Sequence, residues 1–193
     1  MDTRRGPVVF CDANVLYGTL LRDLLMWLGV RRSLRLRWTA QVQEKWTRNL
    51  LEHRPELTPD RLTRTCEQMN RAIPDALVES APGEEGFDLP DPDDRHVLAA
   101  ALACGAEALL TFNLKDFPTA AVPAGLQVAY PDLYLRDYPQ AVITALQKLR
   151  ANLKRALPSP RKKSWLVCRE LGCLSLPKRS GKATWSSEKR SSK

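Results

Sequence analysis

Short apolar runs alternate with longer amphipathic stretches over the first two thirds of the chain. Val8-Val9-Phe10-Cys11 is too short for a helix and rich in β-formers, which predicts a buried strand ending at Asp12. From Asn14 to Trp27 the apolar positions Val15, Leu16, Leu20, Leu24 and Trp27 recur at helical spacing. Thr39 is a suitable N-cap for a helix carrying Val42, Trp46 and Leu50 on one stripe. Pro59-Asp60 opens a further helix that must stop before Pro74. Asp93 or Asp94 caps a very apolar helix running to Ala103 and stopped at Gly105. Ala108 to Phe112 and Leu126 to Tyr130 predict two more buried strands. Apolar strands without polar alternation, separated by helices, imply an α/β fold with a parallel sheet covered on both faces.

Composition narrows the class. At 193 residues and 44% hydrophobic, the chain can bury a real core. No apolar run reaches the roughly eighteen residues of a membrane span; the nearest, Val97 to Phe112, is interrupted by Gly105 and Glu107. The N-terminal residues carry no long apolar segment of the secretory kind. The five cysteines (11, 66, 104, 168, 173) are odd in number and scattered, as expected of a reducing, cytoplasmic setting. Cys168 and Cys173 have no second Cys/His pair, and His53 and His96 are the two histidines, so a metal here would be held by oxygen.

Charge divides the chain. The net charge is +8, and residues 158–193, with ten Lys/Arg against Glu170 and Glu188, account for all of it. The expected organisation is a domain over 1–133, an amphipathic helix over 134–157 carrying Ala141, Leu146, Leu149, Leu153 and Leu157, and a serine-rich basic tail over 158–193 that reads as disordered.

The acids fall at telling places. Asp12 directly follows a buried strand, so it either caps the next helix or projects from the sheet edge where parallel sheets build their sites. Eight acids and no Lys or Arg lie between Asp75 and Asp94, and the last of them, Asp91, Asp93 and Asp94, lead into the apolar helix. Three acids in four residues exceed what capping needs. Thr111-Phe112-Asn113-Leu114-Lys115-Asp116-Phe117 follows another strand, which places Asn113 and Asp116 on the same edge as Asp12. Glu44 points almost opposite the Val42/Trp46/Leu50 stripe and reads as solvent-facing. Converging carboxylates repel by about 4 kcal/mol per pair at ~4 Å and an effective dielectric near 20, so they must protonate or bind a cation. With oxygen ligands alone, Mg²⁺ or Mn²⁺ is indicated.

Taken in order, Asp12-Ala13-Asn14-Val15-Leu16, Glu44 five residues after Thr39, Asp94-Arg95-His96-Val97-Leu98, and Thr111-Phe112-Asn113 with Asp116 resemble the PIN-domain nucleases, above all VapC-type toxins of toxin–antitoxin pairs. No single motif is specific; their order and spacing over residues 7–133 are. The resemblance implies a PIN-like three-layer α/β/α fold and metal-dependent endonucleolytic hydrolysis of RNA with one or two Mg²⁺ or Mn²⁺ ions. It implies Asp12 and Asp94 as metal ligands and Glu44 as a ligand or water-orienting base; Asp116 is the candidate third ligand, acting directly, through water or only by orienting its neighbours, and Asn14, Thr111 and Asn113 are further candidates. Asp91 and Asp93 compete with Asp94 for its place. Asn113 stands where the family pattern usually has an acid, which bears on a second metal. An antitoxin partner and a homodimer are likewise implied.

The rival reading is a non-catalytic RNA-binding module on a degenerate PIN fold; a DNA-directed nuclease is another. An aspartyl-nucleophile phosphatase is disfavoured because Asn14 stands where its second Asp belongs. For gripping RNA the candidates are the run Arg31, Arg32, Arg35 and Arg37 and the basic tail, where Trp165 or Trp185 offers base stacking. Deleting residues 158–193 is expected to flatten the salt dependence of RNA binding while sparing cleavage of a short substrate. Equal salt slopes for the two proteins would remove the tail from the binding surface.

Overall fold

The computed structural model describes residues 6–81 and 86–156. The expectations for the 158–193 tail lie outside them. Five strands form one parallel sheet: β1 (Val8–Cys11), β2 (Arg35–Thr39), β3 (Leu77–Val78), β4 (Ala108–Leu110) and β5 (Gln127–Ala129), in the order β3-β2-β1-β4-β5. Among the described residues the helices are α1 (Ala13–Tyr17), α2 (Thr19–Val30), α3 (Ala40–His53), α4 (Pro59–Ala72), α5 (Arg95–Ala103), α6 (Pro131–Leu135) and α7 (Pro139–Ala156). This is the PIN-like three-layer α/β/α arrangement.

Both faces of the sheet are covered because successive strand residues point opposite ways. On β2, Leu36 lies under α2 so closely that a Cβ on Gly29 would sit 3.0 Å from its Cδ1. Arg37, the next residue, faces the other way and acts electrostatically on Cys104 at the end of α5. The central strands β1 and β4 are fully apolar and buried. Around them pack Trp38, Trp46, Leu16, Leu25, Leu28 and Leu98, all under 2% exposed.

The chain builds β1, β2 and β3 outward in one direction, then returns to place β4 on the other side of β1 and β5 beyond it. That reversal leaves a crevice outside the carboxyl ends of β1 and β4, the place where open parallel sheets gather their ligands.

Several elements differ from the expectation. The single helix over 14–27 is two, because Gly18 takes an extended conformation (ψ 115°) that ends α1 and begins α2. The helix over 134–157 is preceded by the short α6 and starts at Pro139. Strand β2 was hidden by its arginines. It does alternate, Leu34, Leu36 and Trp38 being buried while Arg35 and Arg37 are partly exposed, so alternation is present in a parallel sheet after all. Arg35 is tolerated because it lies at the amino-terminal end of the sheet, in register with Val8. There its Nε donates to Gly6 O at 2.7 Å and its guanidinium reaches Glu107 at 3.8 Å. Strand β3 has only two residues, too few to show a period.

Leu36→Ala is expected to destabilise the protein by about 2–5 kcal/mol, as for a fully buried leucine in a rigid core. Urea unfolding checks it; a loss below about 1 kcal/mol would mean that β2 is not a core strand.

Candidate active site

Asp12 leaves the end of β1 as a buried side chain, 3% exposed. Its backbone N–H still donates to Leu110 O of β4 at 3.0 Å, so the carboxylate is fixed by the sheet itself. Oδ1 accepts from the N–H of Ala13 at 2.5 Å, which caps α1. Oδ2 accepts from Asn14 Nδ2 at 2.6 Å and from the Thr111 hydroxyl at 2.7 Å. Capping and projection into the crevice, posed as alternatives by the sequence, are therefore both present in one residue.

Thr111 follows β4 and is fully buried. Besides donating to Asp12, its oxygen accepts from Asn14 Nδ2 and from the Asn113 N–H, each at 3.0 Å. Asn14 closes the ring by accepting the Phe112 N–H on Oδ1 at 3.0 Å. The Asn113 amide donates to Asp116 Oδ2. Asn14, Thr111 and Asn113 thus act together as donors that orient two carboxylates.

Asp94 is 4% exposed and stands at the start of α5, yet its side chain does not cap that helix. Asp91 caps instead, accepting the Asp93 N–H at 2.9 Å over a 3-10 turn Pro92–Asp94. Freed from capping, Asp94 turns toward the crevice. One carboxylate oxygen each from Asp91, Asp94 and Asp116 lie within 4.8 Å of one another. Asp91, offered by the sequence only as a competitor of Asp94, is thus beside it. Asp12 is not part of that trio but is coupled to Asp94 through charge. Asp93 and Glu44 are exposed and share the wall of a cavity of about 360 Å³ between α3 and the Pro92–Asp94 turn, with Lys45 and Arg48.

The residue that sequence reasoning missed is Lys45. Its Nζ lies 2.8 Å from Asp94 Oδ1. A signal was present: about 160° separate Glu44 from the centre of the Val42/Trp46/Leu50 stripe, but only about 100° separate Lys45. Lys45 therefore flanks the packed face and Glu44 does not.

Burial dominates the electrostatics. It raises the Asp12 carboxyl above its ordinary value of 3.8; the Thr111 hydroxyl opposes that, Asp94 adds to it, and the Ala13 N–H and Lys45 oppose it. For Lys45, burial acts downward, but the hydrogen bond to Asp94 and the charges of Asp94, Asp12 and Asp91 leave its ammonium held above the usual range. Burial, helped by Asp12, pushes the Cys11 thiol up to about 12, so it stays protonated and offers no thiolate ligand.

The basic run does not adjoin this site. Arg35 opens β2 at the amino-terminal edge of the sheet, and Arg31 and Arg32 precede it, whereas the acids lie at the carboxyl edge. Among the described residues, Lys45 and Arg48 line the cavity beside Glu44 and Asp93.

A stretch of 45 residues, 23% of the chain, is 49% identical to "Putative ribonuclease VapC50" of Mycobacterium tuberculosis (strain ATCC 25618 / H37Rv). The shared stretch spans 27% of that protein's length. No family model matches the chain.

Thr111→Val keeps the shape and removes the hydroxyl, at an expected cost of about 1–3 kcal/mol near neutral pH. Because the folded Asp12 holds its proton above 3.8, its contribution to stability is present below that value and is lost as pH rises through the raised one. The variant raises it further, so its penalty should grow from pH 4 to pH 7 in chelator. A pH-independent penalty in urea titrations would show that Thr111 does not act through Asp12.

Proposed function

We propose that this protein is a divalent-metal-dependent endoribonuclease of the VapC-like PIN type. The observation that carries the proposal is the meeting of Asp91, Asp94 and Asp116 beside Asp12 at the switch point of the parallel sheet. The local similarity to a protein named as a VapC ribonuclease supports the same reading.

The donor set suits Mg²⁺ or Mn²⁺, since every candidate ligand is a carboxylate oxygen. Their 4.8 Å span is one that small side-chain rotations bring to an octahedral ion with ligands at about 2.1 Å. Asp91, Asp94 and Asp116 would hold the ion, with Asp12 as a further ligand fixed by Thr111 and Asn14. A bound ion of this kind supplies charge stabilisation at a phosphoryl group and acidifies water.

The chain's own residues do the rest. Thr111 and Asn14 donate to Asp12 and hold it in one orientation, and Asn113 does the same for Asp116. Glu44, on the wall of the adjoining cavity, would orient water or accept its proton. Arg48 offers positive charge to the RNA backbone on the same wall. Within the same proposal fall the toxin role, an antitoxin that covers the crevice, a homodimer, and the division into a nuclease domain over 1–133, a helix over 134–157 and a basic tail.

One feature favours the rival RNA-binding module: a lysine already neutralises Asp94, and Asn113 contributes no charge. Incubation with total RNA and Mn²⁺, against chelator, separates the two. Wild type should cut RNA with Mn²⁺ and not with chelator. Asp94→Asn and Asp116→Asn should each lose about 100-fold or more, and Glu44→Gln at least about tenfold. Calorimetry without Mn²⁺ binding, together with uncut RNA, would leave the binding module as the function.

A further inference from the structure

Lys45 brings a fixed positive charge into a group of acids, and its surroundings say how it is kept there. Helix α3 is anchored on both sides of it. Thr39 caps the helix by accepting the Val42 N–H at 3.2 Å, and Val42 and Trp46 are completely buried. Gln43 is tied to Asn70 of α4 by a hydrogen bond of 3.0 Å from its amide. The backbone at Lys45 therefore has little freedom, and its side chain reaches Asp94 from a rigid base.

The two partners differ in exposure. The Lys45 side chain is 30% exposed and that of Asp94 only 6%, so the ammonium lies on the open side of the pair. That side is the cavity of about 360 Å³, a volume fit for part of a nucleotide. Arg48 lies three residues further along α3, on the same helix face, and lines the same space. A phosphate entering there meets Arg48 and Lys45 on the α3 side, with Glu44 and Asp93 on the same wall.

We propose that Lys45 is a resident cation of the active site, staying beside a single divalent ion and holding a phosphate oxygen of bound RNA. The proposal rests on the nuclease reading given above. An ammonium has three N–H donors, and the bond to Asp94 uses one. Asp94 has a second oxygen for the ion, so lysine and metal share the carboxylate without exclusion. Four acids, Asp12, Asp91, Asp94 and Asp116, then face one divalent ion and one lysine. The remaining negative charge leaves little call for a second metal at neutral Asn113.

The test uses the full chain, comparing wild type with K45M and K45R by Mn²⁺ calorimetry and by steady-state cleavage of a short single-stranded RNA in Mn²⁺. Wild type and K45M should each bind one Mn²⁺, the variant no more weakly, because Lys45 is not a ligand. K45M should lose about 100-fold in kcat/KM, and K45R should recover at least about tenfold of that. K45Q, which keeps a donor for Asp94, serves the same comparison if K45M does not fold. Cleavage by K45M at the wild-type rate, or faster with tighter Mn²⁺ binding, would show that Lys45 merely competes for Asp94 and would overturn the proposal. Two Mn²⁺ ions on wild type would overturn it as well. A wild type that neither binds Mn²⁺ nor cuts RNA would bring down the nuclease reading itself, a result distinct from the other two.

Discussion

Carboxylates repel, and this fold collects four of them at one edge of one sheet. At separations of 4 to 5 Å and an effective dielectric near 20, each ionised pair costs roughly 3–4 kcal/mol. Most of the polar detail at the carboxyl ends of β1 and β4 answers that cost. Thr111, Asn14 and the Ala13 N–H donate to Asp12, Asn113 donates to Asp116, and Lys45 pairs with Asp94. Even so, burial outweighs the donors at Asp12, whose carboxyl is left easier to protonate than in the unfolded chain. A protein selected for stability alone would place apolar side chains here; acids crowded at a switch point mark a place where stability yields to chemistry.

The strand direction sorts charge as well as topology. Parallel strands have one common amino end and one common carboxyl end, and the chain uses them differently. At the amino end Arg35 meets Glu107 and the Gly6 carbonyl, an arrangement that neutralises itself. At the carboxyl end, among the described residues, the clustered acids outnumber the bases paired with them, Lys45 holding Asp94. The basic run that looked like an RNA grip in the sequence therefore lies across the sheet from the acids. Positive charge on the acids' own side comes from α3, whose capping by Thr39 at the end of β2 aims Lys45 and Arg48 along the crevice.

Legibility followed burial. Strands β1 and β4 were readable because their runs are apolar and end in polar residues, and β5 because Leu126, Val128 and Ala129 form a short apolar stretch. Asp12 and Thr111 were readable for the same reason, since each follows a strand directly, and Asn113 and Asp116 lie in the turn just beyond. Strand β2 was not read because Arg35 and Arg37 drew attention to charge, although Leu34, Leu36 and Trp38 carry a clear period of two. The break at Gly18 was invisible because apolar spacing continues across it. Asp91 and Asp93 compete with Asp94 in the sequence, and no spacing shows that Asp91 caps the 3-10 turn and leaves the Asp94 side chain free of capping. Lys45 was overlooked because a lysine beside a glutamate on a helix is ordinarily solvated surface; only the approach of α5 to α3 in three dimensions sets it against Asp94.

The position of Lys45 also bears on how the cluster of acids holds together. Removing one partner of a largely buried pair leaves the other charge uncompensated, which is costly. Asp94 is the more buried of the two, so it depends on Lys45 more than Lys45 depends on it. A cation supplied by the chain lets the acids stay gathered, and its place on the exposed side leaves the inner oxygens of the cluster accessible. A crevice of this kind is organised by the chain itself. It is set in advance by the sheet, by the donors at Thr111 and Asn14, and by one lysine on a well-anchored helix.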